Sequence, residues 1–151
     1  MNLKEQIARD LTQAMKTGQK LRLETLRTIR AALTEREIEK RGSGIEMSPE
    51  DELAVLARAA KKRRESIDQF RKGGRMDLVD QEEQELAIIQ EYLPKQLSVE
   101  EVEAVINKVI ADSGASSPAE FGKVMPAVMK EVKGKADGRT VQELVKKALG
   151  A

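Results

Sequence analysis

The chain has 151 residues, 35% of them charged and 40% hydrophobic, which is typical of a globular protein and excludes a disordered one. It has no cysteine and no histidine, which excludes disulfides, thiolate chemistry and the most common general base and metal ligand. The net charge of +1 argues neither for nor against a nucleic-acid partner. No apolar run approaches the roughly 18 residues that span a bilayer, and the start does not resemble a signal peptide. We therefore expect a cytoplasmic protein with no membrane segment.

Four helices are predicted before residue 94, each with an apolar stripe at helical spacing. The stripes are Leu3, Ile7, Leu11, Ala14 and Met15; Leu23, Leu26, Ile29 or Arg30, and Leu33; Leu53, Leu56, Ala60, Ile67 and Phe70; and Val79, Leu86, Ile89 and Leu93. Gly18 is placed to end the first helix, and the second continues as a charged arm to Lys40. Ser48 is predicted to cap the third helix and Asp77 the fourth, which Pro94 ends.

Three shorter helices are predicted after residue 96. Ser98 and Ser117 each begin a predicted capping box, and Asp137 is predicted to cap the last helix. The apolar stripes are Val102, Val105, Ile106, Val109 and Ile110; Phe121, Val124, Met125, Val128, Met129 and Val132; and Val141, Leu144, Val145, Ala148 and Leu149. Pro126 lies inside the second stripe, where it loses a helical hydrogen bond to Gly122, so we expect a kink or irregular turn there.

The predicted fold class is all-α. No alternating strand pattern of useful length appears, and the few aromatic residues favour a core of aliphatic side chains between helices. The segment 93–97, with its proline, is the best candidate for a domain joint. The predicted domains are therefore a long-helix N-terminal domain, 1–95, and a compact three-helix C-terminal domain, 96–151.

The end of the chain is the most basic part of the sequence. Residues 121–151 contain seven basic and three acidic residues, a net charge of +4. Within them, residues 130–139 link two predicted helices, and Gly134 and Gly138 would let a ligand backbone come close. Amides at a helix N-terminus suit phosphate oxygens, so this stretch is either an anion site or a polar loop with a capping aspartate. It is not a P-loop.

Other polar clusters are weaker candidates. Arg58 and the run 61–64 could form a nucleic-acid patch, but a solvated helix face explains them as well. The turn 71–75 could hold a phosphate or simply join two helices. The acidic groups at 82–85 and 100–103 are interpreted as helix-surface charges rather than catalytic or metal-binding residues. No catalytic residue, metal or cofactor is predicted.

Several separated stretches resemble the YqeY family, and together they cover nearly the whole chain. In the C-terminal half they are GASS at 114–117, FGKVM at 121–125 and VKGKADG at 132–138. Further ones are DLTQAMK at 10–16, RLETLR at 22–27 and EYLPKQLS at 91–98. One departure is Lys130, near which the family would have a proline; here the proline is Pro126.

The resemblance implies a two-domain helical fold whose C-terminal domain is similar to the tail of GatB, which contacts tRNA in a glutamine-dependent amidotransferase. Related domains occur on some glutaminyl-tRNA synthetases. Transferred by position, this implies that Lys123, Lys133, Gly134, Lys135 and Arg139 bind nucleic acid. Charge alone adds Lys130, Lys146 and Lys147. The family offers no catalytic residue to transfer.

Three functional hypotheses follow. The first is a tRNA-binding accessory protein that recognises the folded RNA backbone, since few aromatic residues are available for stacking on single strands. The second is a subunit or relative of a carbon–nitrogen ligase with glutamine as amido-N-donor. The third is a protein-interaction module whose long helices, 19–41 and 48–72, dock on a partner such as an aminoacyl-tRNA synthetase or amidotransferase.

Overall fold

The computed structural model describes residues 1–150 and confirms the all-α class. Seven α-helices and one 3-10 turn follow one another, and no β-strand occurs in the described residues. The helices are α1 (Leu3–Lys16), α2 (Lys20–Gly42), α3 (Pro49–Lys72), α4 (Met76–Gln90), α5 (Val99–Ser113), α6 (Phe121–Val132) and α7 (Gly138–Ala148). The 3-10 turn spans Pro118–Glu120, immediately before α6.

The chain divides into two compact units, one spanning Met1–Leu93 and one that begins at Pro94. The division falls inside the predicted joint, 93–97. Each unit has a buried cluster made only from its own residues. In the N-terminal unit this cluster is Ile7, Leu11, Ala14, Leu26, Ile29, Leu33, Leu56, Ala60 and Ile89. In the C-terminal unit it is Val102, Ile106, Val109, Ala115, Val124, Val128, Val132, Val141, Val145 and Leu149.

The N-terminal unit is organised around α3 and α4, which pack along each other, while α2 contacts α1, α3 and α4. Ser48 caps α3 as predicted: its hydroxyl accepts from the Asp51 amide at 3.2 Å, and Pro49 is the first helical residue. A short hydrogen bond from the Tyr92 hydroxyl to the Asp10 carboxylate joins the segment after α4 to α1.

The C-terminal unit is a three-helix arrangement in which α5, α6 and α7 all contact one another. The inward positions of α6 and α7 are valines spaced four residues apart: Val124, Val128 and Val132, then Val141 and Val145. Each of these is 0% exposed, so the two helices lie close together and their polar faces point outwards.

Two predicted helix starts are wrong. Asp77 is not a cap: α4 begins at Met76, two residues earlier than predicted, with Arg75 in the N-cap position, and Asp77 pairs with Arg75 at 3.0 Å. The Asp77 carboxylate lies in the first turn of α4, where it interacts favourably with the helix dipole. The hydrogen bond from Arg75 lowers the pKa of Asp77. Ser117 makes no side-chain cap: a 3-10 turn follows it, and α6 starts only at Phe121.

Other predictions needed correction within otherwise correct elements. Met15 is 54% exposed rather than buried, and Ala148 is also exposed. Of the kink or irregular turn predicted near Gly122–Pro126, the irregular turn is wrong, since α6 continues as a helix through Pro126, while the kink stays a prediction. Both Gly122 and Pro126 are exposed, so water can satisfy the carbonyl that the proline leaves without an amide. α4 ends at Gln90, although Leu93 still packs against the core.

Candidate nucleic-acid interface

Seven of the nine basic residues of the C-terminal unit lie on α6, on α7 and on the loop between them, whereas Lys95 precedes α5 and Lys108 lies on it. All seven of these cations are exposed: Lys123, Lys130, Lys133, Lys135, Arg139, Lys146 and Lys147. The acidic residues of the same unit concentrate on α5, where Glu100, Glu101, Glu103 and Asp112 are exposed. The unit therefore has an acidic helix and a basic helix pair.

The loop between α6 and α7 has a defined conformation. Its tight turn is closed by the Lys135 amide, which donates to the Val132 carbonyl at 2.8 Å. Gly134 sits in the turn with φ at +75°, in the left-handed region that glycine adopts without Cβ strain. The positive φ at this position therefore favours glycine, and Lys133 and Lys135 lie on either side of Gly134 in the turn.

The segment before α5 forms hydrogen bonds with this loop and so braces it, a contact that was not predicted from the sequence. The Leu97 amide donates to the Lys135 carbonyl at 2.8 Å. The Gln96 side-chain amide donates to the Gly134 carbonyl and to the Pro94 carbonyl, each at 2.9 Å. Because both loop carbonyls are turned towards this brace, the Lys133 and Lys135 side chains are presented from a fixed backbone.

The start of α7 differs from its prediction. Asp137 occupies the N-cap position by its backbone, but it makes no side-chain cap bond to the first turn of α7. Its carboxylate accepts instead from the Thr140 hydroxyl at 3.3 Å. Arg139, in the first turn, lies 3.8 Å from Glu143. The partial positive charge of the first-turn amides therefore adds to the cations of the adjoining loop.

A second group of cations lies at the other end of α6. Lys123 donates from Nζ to the Ser113 carbonyl at 3.4 Å, so it reaches the end of α5. The Lys146 Nζ lies 5.7 Å from the centroid of the Phe121 ring, a cation–π contact that places the end of α7 beside the start of α6.

The structure therefore spreads the predicted residues over a surface rather than gathering them at one point. Lys133, which directly follows α6, comes ten positions after Lys123, a separation of about 15 Å at the rise of a helix. Lys130 lies between them, seven residues after Lys123 and so on the same side of α6. Lys147 is set apart, because it lines a groove of about 230 Å³ between α5 and α7.

Two of the three cations in the turn between α3 and α4 are paired with acidic neighbours. Arg71 lies 3.1 Å from Glu83, and Arg75 lies 3.0 Å from Asp77. In the basic run of α3, the side chains separate. Arg58, Lys62 and Arg63 line a cleft against α2, whereas Lys61 and Arg64 do not line it.

The acidic residues of α4 take part in ion pairing with α3. The Arg63 Nε lies 3.6 Å from Glu85, and burial together with the charge of Glu85 raises the pKa of Glu82. Within residues 1–150, no group of three or more acidic, histidine or cysteine side chains is arranged to hold a metal ion.

A comparison with known protein families finds one that matches this chain. The family of Yqey-like proteins matches residues 4–149, nearly its whole length. The chain belongs to the YqeY family. This confirms the resemblance found in the sequence, while the similarity to the GatB tail stays a prediction.

Relatives of this YqeY-family chain occur in yeasts. An uncharacterized protein of Schizosaccharomyces pombe is 34% identical over 97 residues, covering 64% of this chain and 76% of that protein. The chain is also similar to "Altered inheritance of mitochondria protein 41, mitochondrial" of Kluyveromyces lactis, 30% identical over 89% of this chain and 69% of that protein. The protein of that name in Lachancea thermotolerans is 30% identical over 75% of this chain and 60% of its own length.

Two of these relatives are named mitochondrial, so the cytoplasmic location predicted for this chain stays a prediction. None of the described helices combines the length and the apolar character needed to cross a bilayer.

Proposed function

We propose that the C-terminal unit binds tRNA by contacting the phosphate backbone of its folded body. The observation that carries the proposal is the basic surface of α6, α7 and their loop, with every cation exposed and the loop braced by Gln96 and Leu97. Lysines on a fixed backbone neutralise phosphates without reading bases, which suits recognition of RNA by shape.

The shape of the surface supports a large, rigid ligand. The exposed positions of α6 include small or short residues next to its lysines: Gly122 directly before Lys123, and Pro126 and Ala127 between Lys123 and Lys130. A Cβ added at Gly122 would meet no atom within 4 Å, so the helix surface is open there. Long basic side chains that flank short ones allow a duplex backbone to approach while the lysines reach its phosphates.

The charge distribution sets an orientation. The exposed carboxylates of α5 repel phosphate, whereas the +4 segment that includes α6 and α7 attracts it. The bound RNA would therefore lie against α6 and α7 and away from the exposed face of α5.

Competition between RNAs tests the proposal. A fluorescently labelled tRNA is bound to the full chain, and unlabelled tRNA or single-stranded RNA of the same length is added. Since the unit has one phenylalanine and no other aromatic residue for base stacking, folded tRNA should compete several-fold better than the single strand. Equal competition would mean charge attraction without recognition of shape, and absence of binding at low salt would refute the proposal.

The two alternative functions stay predictions. A carbon–nitrogen ligase activity is tested by mixing the protein with glutamine, ATP and misacylated tRNA and measuring amidation over several turnovers. A protein-interaction role is tested by capture of a synthetase or amidotransferase after nuclease treatment, since a partner that remains bound without RNA contacts the protein directly.

A further inference from the structure

The cleft between α2 and α3 in the N-terminal unit is lined by an unusual set of side chains. Its volume is about 360 Å³, within the range of small-molecule sites. On one side α3 contributes three cations, Arg58, Lys62 and Arg63. The α2 side contributes Glu35 and Glu39, four residues apart and so on one face of the helix, together with Arg36, which pairs with Glu39.

The cations of this cleft are incompletely paired. In the described part of the chain, Arg58 and Lys62 make no ion pair. Arg63 is 13% exposed and forms an ion pair with Glu85 of α4, but the 3.6 Å between its Nε and the Glu85 carboxylate is too long for a hydrogen bond. An anion in the cleft would therefore bind first to the exposed Arg58 and Lys62, and the charge of Arg63, which Glu85 neutralises only through a long contact, would add to the attraction.

The rest of the lining is apolar and small. Ala32, Val55 and Ala59 line the cleft and are half-buried. Such a surface accepts the uncharged skeleton of a small molecule but offers no aromatic ring for stacking a base. Glu39 is held by Arg36 at 3.0 Å, whereas Glu35 has no ion pair within residues 1–150 and remains an acceptor for hydroxyl groups.

We propose that the α2–α3 cleft binds a small phosphate ester that carries hydroxyl groups, such as a sugar phosphate. Its phosphate lies against Arg58, Lys62 and Arg63, its carbon skeleton lies on the alanines and Val55, and a hydroxyl donates to Glu35. Arginine and lysine together supply the charge-assisted bonds that phosphate oxygens require. The acidic α2 side disfavours a long polyanion, which separates this ligand from the tRNA assigned to the C-terminal unit.

The test is a nuclear magnetic resonance titration of the full chain with ribose 5-phosphate. Saturable shifts should be confined to backbone amides of residues 28–39 and 55–63, and ribose without phosphate should cause none. Arg58→Gln/Lys62→Gln should weaken binding by about tenfold or more, since two charge-assisted contacts are lost. The matched control, Lys61→Gln/Lys72→Gln, removes two exposed charges of α3 outside the cleft and should bind normally.

A second variant separates shape from charge. Ala32→Leu keeps every charge and fills the cleft floor, so it should also abolish the shifts. Absence of saturable shifts, equal binding of ribose, or unchanged binding by Arg58→Gln/Lys62→Gln would each overturn the proposal. The same double variant should bind tRNA normally. If it loses tRNA affinity while the sugar phosphate never binds, the cleft belongs to the RNA surface and the proposal is wrong.

Discussion

Ser48 and Asp51 show how few atoms define the start of α3. The Ser48 amide and hydroxyl both donate to the Asp51 carboxylate at 2.9 Å, and the Asp51 amide donates back to the hydroxyl at 3.2 Å. Lys40, at the end of α2, lies 3.1 Å from the same carboxylate. These bonds, led by the one from the Ser48 amide, lower the pKa of Asp51 to about 2.

The Asp51 pKa predicts a pH dependence of stability. Because the folded pKa is below its ordinary value of 3.8, the ionised form contributes stability above about pH 4 that is lost as pH falls towards 2. Asp51→Asn should lower the free energy of unfolding at pH 7, and the difference from the original chain should vanish near pH 2. Urea unfolding at both pH values measures this. Exposed Glu46→Gln is the control, and a difference independent of pH would contradict the assignment.

Tyr92 offers a second residue-scale test, because it is the single tyrosine and the chain has no tryptophan. Burial, and then its hydrogen bond to Asp10, raises the pKa of the Tyr92 hydroxyl above its ordinary value of 10. Its contribution to stability is therefore complete below pH 10 and lost at higher pH. Ultraviolet titration should show a midpoint above 10, shifted down in Asp10→Asn. If the midpoint is the same in Asp10→Asn as in the original chain, the hydrogen bond between Tyr92 and Asp10 does not form.

Removing the Tyr92 hydroxyl tests the same bond at neutral pH. Tyr92→Phe should lower the free energy of unfolding by about 1–2 kcal/mol, since the half-buried Asp10 carboxylate loses a donor. Urea unfolding measures it, and a neutral effect would show that water replaces the hydroxyl.

At the scale of elements, the helices could be predicted from local signals and their interactions could not. Some residues act within one turn of the chain, so their roles can be predicted from the residues next to them. These are Ser48 and Pro49 at the start of α3, and the left-handed glycines Gly18 and Gly114 at helix ends. Asp77 was misread because an arginine two residues before it supplies a competing partner. Ser117 was misread because a 3-10 turn intervenes before α6.

The candidate site could be predicted only in composition. Lys133, Gly134 and Lys135 are visible as a basic glycine loop, and Gly134 does take a positive φ. The brace by Gln96 spans 38 residues, and nothing in the local sequence marks a glutamine as its donor. Local sequence likewise does not show which basic residues of α3 line the cleft, because this depends on where α2 lies.

The brace leads to a prediction about the loop. Gln96→Ala leaves the Gly134 carbonyl without its side-chain donor, so the loop should lose order without losing charge. We expect tRNA affinity to fall about fivefold, equivalent to about 1 kcal/mol, with an unchanged salt slope. Anisotropy across a salt series measures both quantities. Gln142→Ala, at an exposed position of α7, is the control, and a shallower slope for Gln96→Ala would contradict the structural role.

At the scale of the whole molecule, two buried clusters, each from one unit, suggest two folding units. Val128, at 0% exposure, is central to the C-terminal cluster. Val128→Ala removes two methyl groups and should cost about 1.5–3 kcal/mol. Hydrogen exchange should then accelerate across residues 99–149 and stay unchanged across 3–90. Equal acceleration in both regions would show that the chain unfolds as one cooperative unit.

Binding of tRNA through phosphate contacts of the C-terminal unit is tested by the anisotropy of labelled tRNA over a salt series. The original chain is compared with Lys133→Ala/Lys135→Ala and with the charge-matched control Lys61→Ala/Lys72→Ala. Phosphate contacts predict that log K falls linearly with log salt, with a slope of about −0.9 or smaller in magnitude per phosphate contacted. The loop variant should bind more weakly with a shallower slope, and the control should match the original chain. Absence of binding at low salt, or a loop variant that binds like the original, would contradict the claim.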